Sequence, residues 1–396
     1  MTDTLSPPAQ ILRDLIACPS VTPAGAGALD VLEARLAPLG FVVTRETATS
    51  PDTPDIENLY ARLGTSGPNL CFAGHTDVVP VGDEAAWTAP PFEGRVVDGF
   101  MVGRGAVDMK GGIACWIAAL EAHLAEHGTP ANASVSLLIT GDEEGPAING
   151  TRAILDSLVT RGERIDAAIV GEPTNPDALG DAIKIGRRGS VSGTLTITGK
   201  QGHAAYPHLA DNAARGVVAL AAALMASWDE GTDDFEPTNL EVTSIDMGNA
   251  AFNVVAAKAT ARFNIRFNDT WTADSVKAEI ERRLAAAAST DLRPDRPPVM
   301  WALAYEARPS HVFRTQDEVL IGRVADAVEA ETGRRPALST GGGTSDARFI
   351  KDVCPVVEFG LVGQTMHQVD ERVRLSDLDK LTAIYGRIIA THAGTS

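Results

Sequence analysis

The chain has 396 residues, 44% hydrophobic and 22% charged, which is the balance of a folded globular protein and argues against extended disorder. Its 34 basic and 52 acidic residues leave a formal charge of −18, which argues against nucleic acid or an anionic membrane surface as a general partner. A small anionic substrate stays open, because a local arginine cluster can sit inside an acidic envelope.

At roughly 150 residues per domain, the length predicts two or three domains. Ser6 with Pro7 and Pro8 starts a helix with Ile11, Leu12, Leu15 and Ile16 on its apolar face. A second helix carries Leu29, Leu32, Leu36 and Leu39 and ends at Gly40. The apolar runs NLYARL and NLCFAG read as buried strands, followed by a helix over Lys110 to His127, the strand ASVSLLITG, a helix near 150–160 and the strand DAAIVG. Strands separated by helices predict a sheet covered on both faces, with ligands at the strands' carboxyl ends. From about residue 180 the pattern changes to β-α-β-β-α-β: SVSGTLTITG, Leu209 to Ser227, NLEVTSIDMG, NVVAAKATARFNIRF, Thr272 to Ala287 and PVMWALAYEA. Beyond about residue 308 the first pattern returns and ends in a helix within 376–392. The expected fold is α/β: a mixed-sheet domain, 1–180 and 308–396, interrupted by a ferredoxin-like α+β domain at 181–307.

Cys18, Cys71, Cys115 and Cys354 are widely spaced with no C-x-x-C pair, which points away from a disulfide scaffold or a cysteine zinc site and toward a reducing compartment. The first residues show no signal-peptide pattern, and no run approaches the roughly 18 apolar residues of a membrane span. A cytoplasmic location is expected.

The chemistry-bearing residues fall just beyond the expected strand ends. His75 and Asp77 in HTD face the same way in extended chain, so the acid can orient the imidazole. Asp108, between a glycine-rich turn and a helix, can bridge two cations or simply cap the helix. Glu143 and Glu144 leave a strand together, either as a solvated turn or with split roles, one binding metal and the other taking a proton from the attacking water. Glu172 closes the next strand and His367 follows VVEFGLVG. Each is weak alone. Together, two imidazoles and three terminal or bridging carboxylates provide for two zinc ions per subunit, or cobalt, with no thiolate required.

The segments AGHTDVVPVGD, GRGAVDMKGG, GDEEGPAINGT, VGEPT, IKIGRRGS, QGHAAYPHLADN, GGGTSDARF, VVEFG and MHQVDE, in this order, resemble the bacterial succinyl-diaminopimelate desuccinylases. These belong to the two-metal superfamily that includes acetylornithine deacetylase, aminoacylase and glutamate carboxypeptidases. The resemblance implies His75, Asp108 and Glu172 at one zinc and Asp108, Glu144 and His367 at the other. Glu143 is implied as general base and Asp77 as the acid behind the first histidine. The inserted domain resembles the family's dimerisation domain, whose GH motif, here His203, reaches the second copy's site and helps stabilise the oxyanion. Lys184, Arg187, Arg188 and Arg266 match positions around a small polyanionic N-acyl amino-acid substrate, bound by charge and by planar guanidinium groups. Tyr206, Asn253 and the turn Gly343, Thr344 and Ser345 match further substrate positions, the turn offering backbone N–H groups to a carboxylate. GAVDM stands where GAADM is expected, NVVAAK where NVIP is usual, and HQVDE where HQVNE is common. The rival readings are an acetylornithine deacetylase or other N-acylamino-acid amidohydrolase and, in another class, a metal-binding module without turnover.

Overall fold

The computed structural model describes residues 5–290 and 298–395, so the reading of the first four residues lies outside it. Two compact units divide the chain. The larger runs to Ile185, resumes over Thr315–Ser339 and continues from Ser345; the smaller is Gly186–Arg314 with Thr340–Thr344.

The larger unit is built on an eight-stranded mixed sheet in the spatial order Val42–Ala48, Ile56–Leu63, Ser134–Thr140, Asn69–His75, Ala167–Val170, Val356–Glu358, Ala182–Lys184, Ala337–Ser339. The strands Ser134–Thr140, Asn69–His75, Ala167–Val170 and Val356–Glu358 are mutually parallel neighbours, so their carboxyl ends line up along one edge. All seven residues of Asn69–His75 and of Ser134–Thr140 are buried, as expected of central strands covered on both faces. On one face, the helix Lys110–His127 packs between Pro7–Ile16 and Leu375–Ala393. Phe72 stacks on Trp116 at 4.8 Å and Tyr385 meets both rings edge-on, closing the core directly beneath the strand that ends in His75.

Close backbone approach brings that helix to the strand edge. A Cβ on Gly112 would lie 2.5 Å from the Gly171 carbonyl oxygen, and one on Gly360 would lie 2.4 Å from the same atom. Side chains at either position would displace the Gly171–Glu172 turn.

The smaller unit has the β-α-β-β-α-β order expected from its sequence. Its antiparallel sheet runs Asn239–Asp246, Lys258–Phe267, Gly189–Thr198, Met300–Tyr305, with helices Ala213–Met225 and Ala273–Ser289. Alternate residues of Gly189–Thr198, Val191, Leu195 and Ile197 among them, enter its core. One expectation needs correcting. NVVAAKATARFNIRF is not a single strand: Val254–Val255 pairs with Gly202–His203, and the sheet strand begins only at Lys258. Between them, the carbonyls of Ala256 and Ala257 accept the amides of Ala213 and Gly199, which takes both out of the ladder. Among the described residues, no helix is long and apolar enough to cross a membrane.

Candidate metal centre

The aligned strand ends place their following residues in one pocket of the larger unit. His75 is the last residue of its strand, Glu143 and Glu144 follow Ser134–Thr140 by three and four positions, and Glu172 follows Ala167–Val170 by two. Asp108 precedes the helix that starts at Lys110, and His367 comes from the loop after Val356–Glu358.

Two sets of donor atoms converge there. His75 Nε2 lies 3.3 Å from Asp108 Oδ1 and 3.7 Å from Glu172 Oε1. His367 Nε2 lies 3.1 Å from Asp108 Oδ2 and 2.8 Å from Glu144 Oε1. Asp108 therefore offers one oxygen to each imidazole. The donor atoms of His75, Asp108 and Glu144 all lie within 4.8 Å of one another, as do those of His75, Glu143 and Glu172. His367 sits in the left-handed region at φ 62, a conformation that costs a non-glycine residue about 1–2 kcal/mol and that the surrounding loop must enforce.

Asp77 has a wider role than orienting an imidazole. His75 Nδ1 is 2.9 Å from the Asp77 backbone carbonyl and 3.5 Å from its carboxylate. The carboxylate instead accepts the amides of Glu143 at 3.2 Å and Glu144 at 3.0 Å, pinning the acidic turn beside the histidine. Asp142 braces the same turn from the other side, accepting the amides of Ile148 at 2.8 Å and Asn149 at 3.0 Å.

The electrostatics are those of a pocket rich in negative charge. Burial, then the charges of Asp346, Glu144 and Asp108, push the Glu143 carboxyl well above its ordinary range. Glu172 is raised likewise by burial and by Asp108. Burial works against charge on His75, but the carboxylates of Asp108, Asp77 and Glu172 prevail and hold its proton well above the usual imidazole range. Asp108 and Glu144 raise His367 to about 10. Burial opposes charge on Asp108 too, yet the two imidazoles hold its carboxyl below the ordinary value.

The residues fit a divalent cation. His75 Nε2 and Asp108 Oδ1 are buried and face each other, yet neither has a hydrogen-bond partner among the described residues. Buried polar atoms left in this way are costly, whereas ligands converging on a common point have this geometry. The mix of imidazole nitrogen and carboxylate oxygen, with no cysteine, suits zinc-like ions better than calcium.

The remaining expected residues are divided between the two units. In the smaller unit, His203, Tyr206 and Asn253 come together: the two rings are 5.6 Å apart, and Ala204 N donates to the Asn253 carbonyl at 2.9 Å. Arg187 is buried and donates to the Gly341 carbonyl at 3.2 Å. The Arg188 guanidinium is engaged by Pro237 and Asn239, each at 3.0 Å, and by Glu236 at 3.1 Å. Arg266 lies opposite Ser190 and Asn239 in the sheet. Gly343 and Thr344 also belong to the smaller unit. Lys184 ends a strand of the large sheet, and Ser345 donates to the buried Glu358 at 2.7 Å. Sequence reasoning missed Asp346, which accepts the Thr151 hydroxyl at 2.6 Å and carries the charge felt most strongly by Glu143. The run GGGTSDARF marks the turn but does not separate this aspartate from an ordinary capping residue.

The mixed sheet gathers histidines and carboxylates at its strand ends as a divalent-metal donor set, and the family the chain matches makes it a metal-dependent hydrolase. Residues 71–391 match the model of Peptidase family M20/M25/M40, and the chain belongs to that family. Solved structures of similar fold include a tripeptidase from Staphylococcus aureus, 18% identical at a TM-score of 0.79, covering 98% of each chain. An M20 family metallo-carboxypeptidase from Sulfolobus solfataricus is 16% identical at 0.76, covering 98% of this chain and all, 100%, of its own. Human carnosine dipeptidase 1 is 17% identical at 0.75, covering 98% and 96%. At these identities the likeness is one of fold.

Proposed function

We propose that this M20 hydrolase is a succinyl-diaminopimelate desuccinylase, cleaving N-succinyl-LL-2,6-diaminopimelate with water to succinate and LL-2,6-diaminopimelate. The observation that carries the two-ion part of the reading is the split of the Asp108 carboxylate, one oxygen 3.3 Å from His75 and the other 3.1 Å from His367. In this reading His75, Asp108 and Glu172 hold one zinc, or cobalt, and Asp108, Glu144 and His367 hold the other. Bound ions of this kind polarise a scissile carbonyl and lower the pKa of water.

The chain's own groups do the rest. Glu143 takes a proton from the attacking water and passes it to the leaving amine, which suits a carboxyl whose proton affinity is raised by burial. Asp77 holds the Glu143–Glu144 turn against His75 so that base and ligands keep their spacing. His203, supplied by a second copy of the chain through the smaller unit, stabilises the oxyanion. Lys184, Arg187, Arg188 and Arg266 supply cations for the substrate's carboxylates, with Tyr206, Asn253 and the Gly343–Ser345 turn completing the binding surface. What supports the substrate class is the run of motifs GRRGS, GHAAYPHLADN and GGGTSDARF, which resemble those of desuccinylases more than those of other two-metal hydrolases.

The test is a substrate panel on zinc-loaded protein: N-succinyl and N-acetyl amino acids, with dipeptides and tripeptides alongside. The expected result is a kcat/KM highest for N-succinyl-diaminopimelate. Preference for N-acetyl-ornithine or for a peptide would overturn the substrate assignment and keep the hydrolase.

A further inference from the structure

Two buried charges with no ligand role lie directly behind the metal centre. Arg104 is 2% exposed and Glu371 0%, and Arg104 Nη1 donates to Glu371 Oε2 at 2.8 Å. Glu371 Oε1 accepts the amides of Val107 at 2.9 Å and Asp108 at 3.1 Å, and Oε2 accepts that of Gly105 at 3.0 Å. The Glu371 carbonyl accepts the Gly103 amide at 2.9 Å. Arg104 also donates to the carbonyls of Gln368 at 3.1 Å and Pro80 at 3.2 Å, with its Cζ 5.2 Å from the Trp87 ring centroid.

Three loops meet at this pair. Pro80 continues the segment that begins with His75 and Asp77, residues 103–108 carry Asp108, and Gln368 adjoins His367. Each of the pair's hydrogen bonds lands on a segment that delivers a donor atom. Stability alone is a poor account of such a pair, because apolar side chains of similar volume would serve as well or better in a closed core. Fixing three backbones relative to one another is what a guanidinium with three separate acceptors and a four-fold-accepting carboxylate do well.

We propose that Arg104 and Glu371 are positioning residues that set the separation of His75, Asp108 and His367, and so the metal affinity of the centre. The inference rests on those three residues being metal ligands. It requires the clamp to hold whether or not an ion is bound.

The experiment is a competitive-chelator titration of zinc into the wild-type chain, the Glu371→Gln variant and a Leu32→Ala control. Leu32 is fully buried in the same core but in the helix Ala28–Leu36, outside the three loops. The clamp predicts about 10–100-fold weaker zinc binding in Glu371→Gln, the usual effect of removing a group that orients ligands, and unchanged affinity in the control. Wild-type affinity in Glu371→Gln, or an equal loss in the control, would overturn the clamp alone. A wild-type chain that takes up no zinc would overturn the metal-centre reading itself. Should Glu371→Gln fail to fold, amide exchange of the metal-free wild type decides. Slow exchange across 103–108 supports the clamp, and exchange at solvent rates there rules it out.

Discussion

Replacing Glu143 by Gln keeps the side chain's shape and removes one charge from the crowded pocket. As general base, Glu143 accounts for about 10²–10⁴-fold in rate, or roughly 3–5 kcal/mol of barrier. Its carboxylate lies within 4.8 Å of that of Glu172, close enough for two unit charges to repel by roughly 3 kcal/mol at an effective dielectric near 20. Burial and neighbouring acids already drive both toward the protonated form, so less than that full repulsion is relieved in the metal-free chain. The variant is expected to lose most turnover, keep the wild-type metal content, and melt no lower than the wild type without metal. Steady-state rates on zinc-loaded protein, metal analysis and a thermal scan after chelation measure the three quantities. Near-normal kcat would refute the base assignment, and loss of metal along with rate would make Glu143 a ligand instead.

Asp77→Ala leaves the Glu143 and Glu144 amides without their carboxylate acceptor, at about 1.5–3 kcal/mol for each charge-assisted bond. Urea denaturation should show a loss of about 3–5 kcal/mol, and a change below about 1 kcal/mol would contradict the bracing role. His203→Ala, at an exposed side chain, is expected to leave metal content and fold intact while kcat falls about 10²–10³-fold; unchanged kcat would remove His203 from the site. Asp229 tests the smaller unit. Burial pushes its carboxyl up, but hydrogen bonds from Thr238, Trp271 and Gly231 hold it below the ordinary value. Its stabilisation is therefore present above the unfolded pKa near 3.9 and is lost as pH falls through the lower folded value. Denaturation curves of wild type and Asp229→Asn should differ at neutral pH and converge below about pH 4, whereas parallel curves would contradict this.

The central strands and the ligand positions were legible because burial and chemistry coincide in short runs. NLCFAG is apolar throughout and ends in His75, as its seven buried residues require. The edge strand Val42–Ala48 was missed because VVTRETA is a half-exposed, mostly polar run, with Val42 itself 72% exposed. The three-stranded sheet of Arg95–Val97, Phe100–Val102 and Arg372–Arg374 was missed for want of length. Distance along the chain hid the rest. Glu371 reads as one more charge in an acidic sequence, because the groups it binds lie 263–267 residues away. Asp346 is separated from Thr151 by 195 residues, and no local pattern joins them.

Five side chains, His75, Asp108, Glu144, Glu172 and His367, are proposed to hold a pair of ions. Anomalous diffraction at the zinc edge, on crystals grown with zinc, locates such ions. Two peaks about 3.5–4 Å apart, with Asp108 between them, are predicted. Peaks confined to other histidines, or none within reach of His75 and His367, would contradict the proposal.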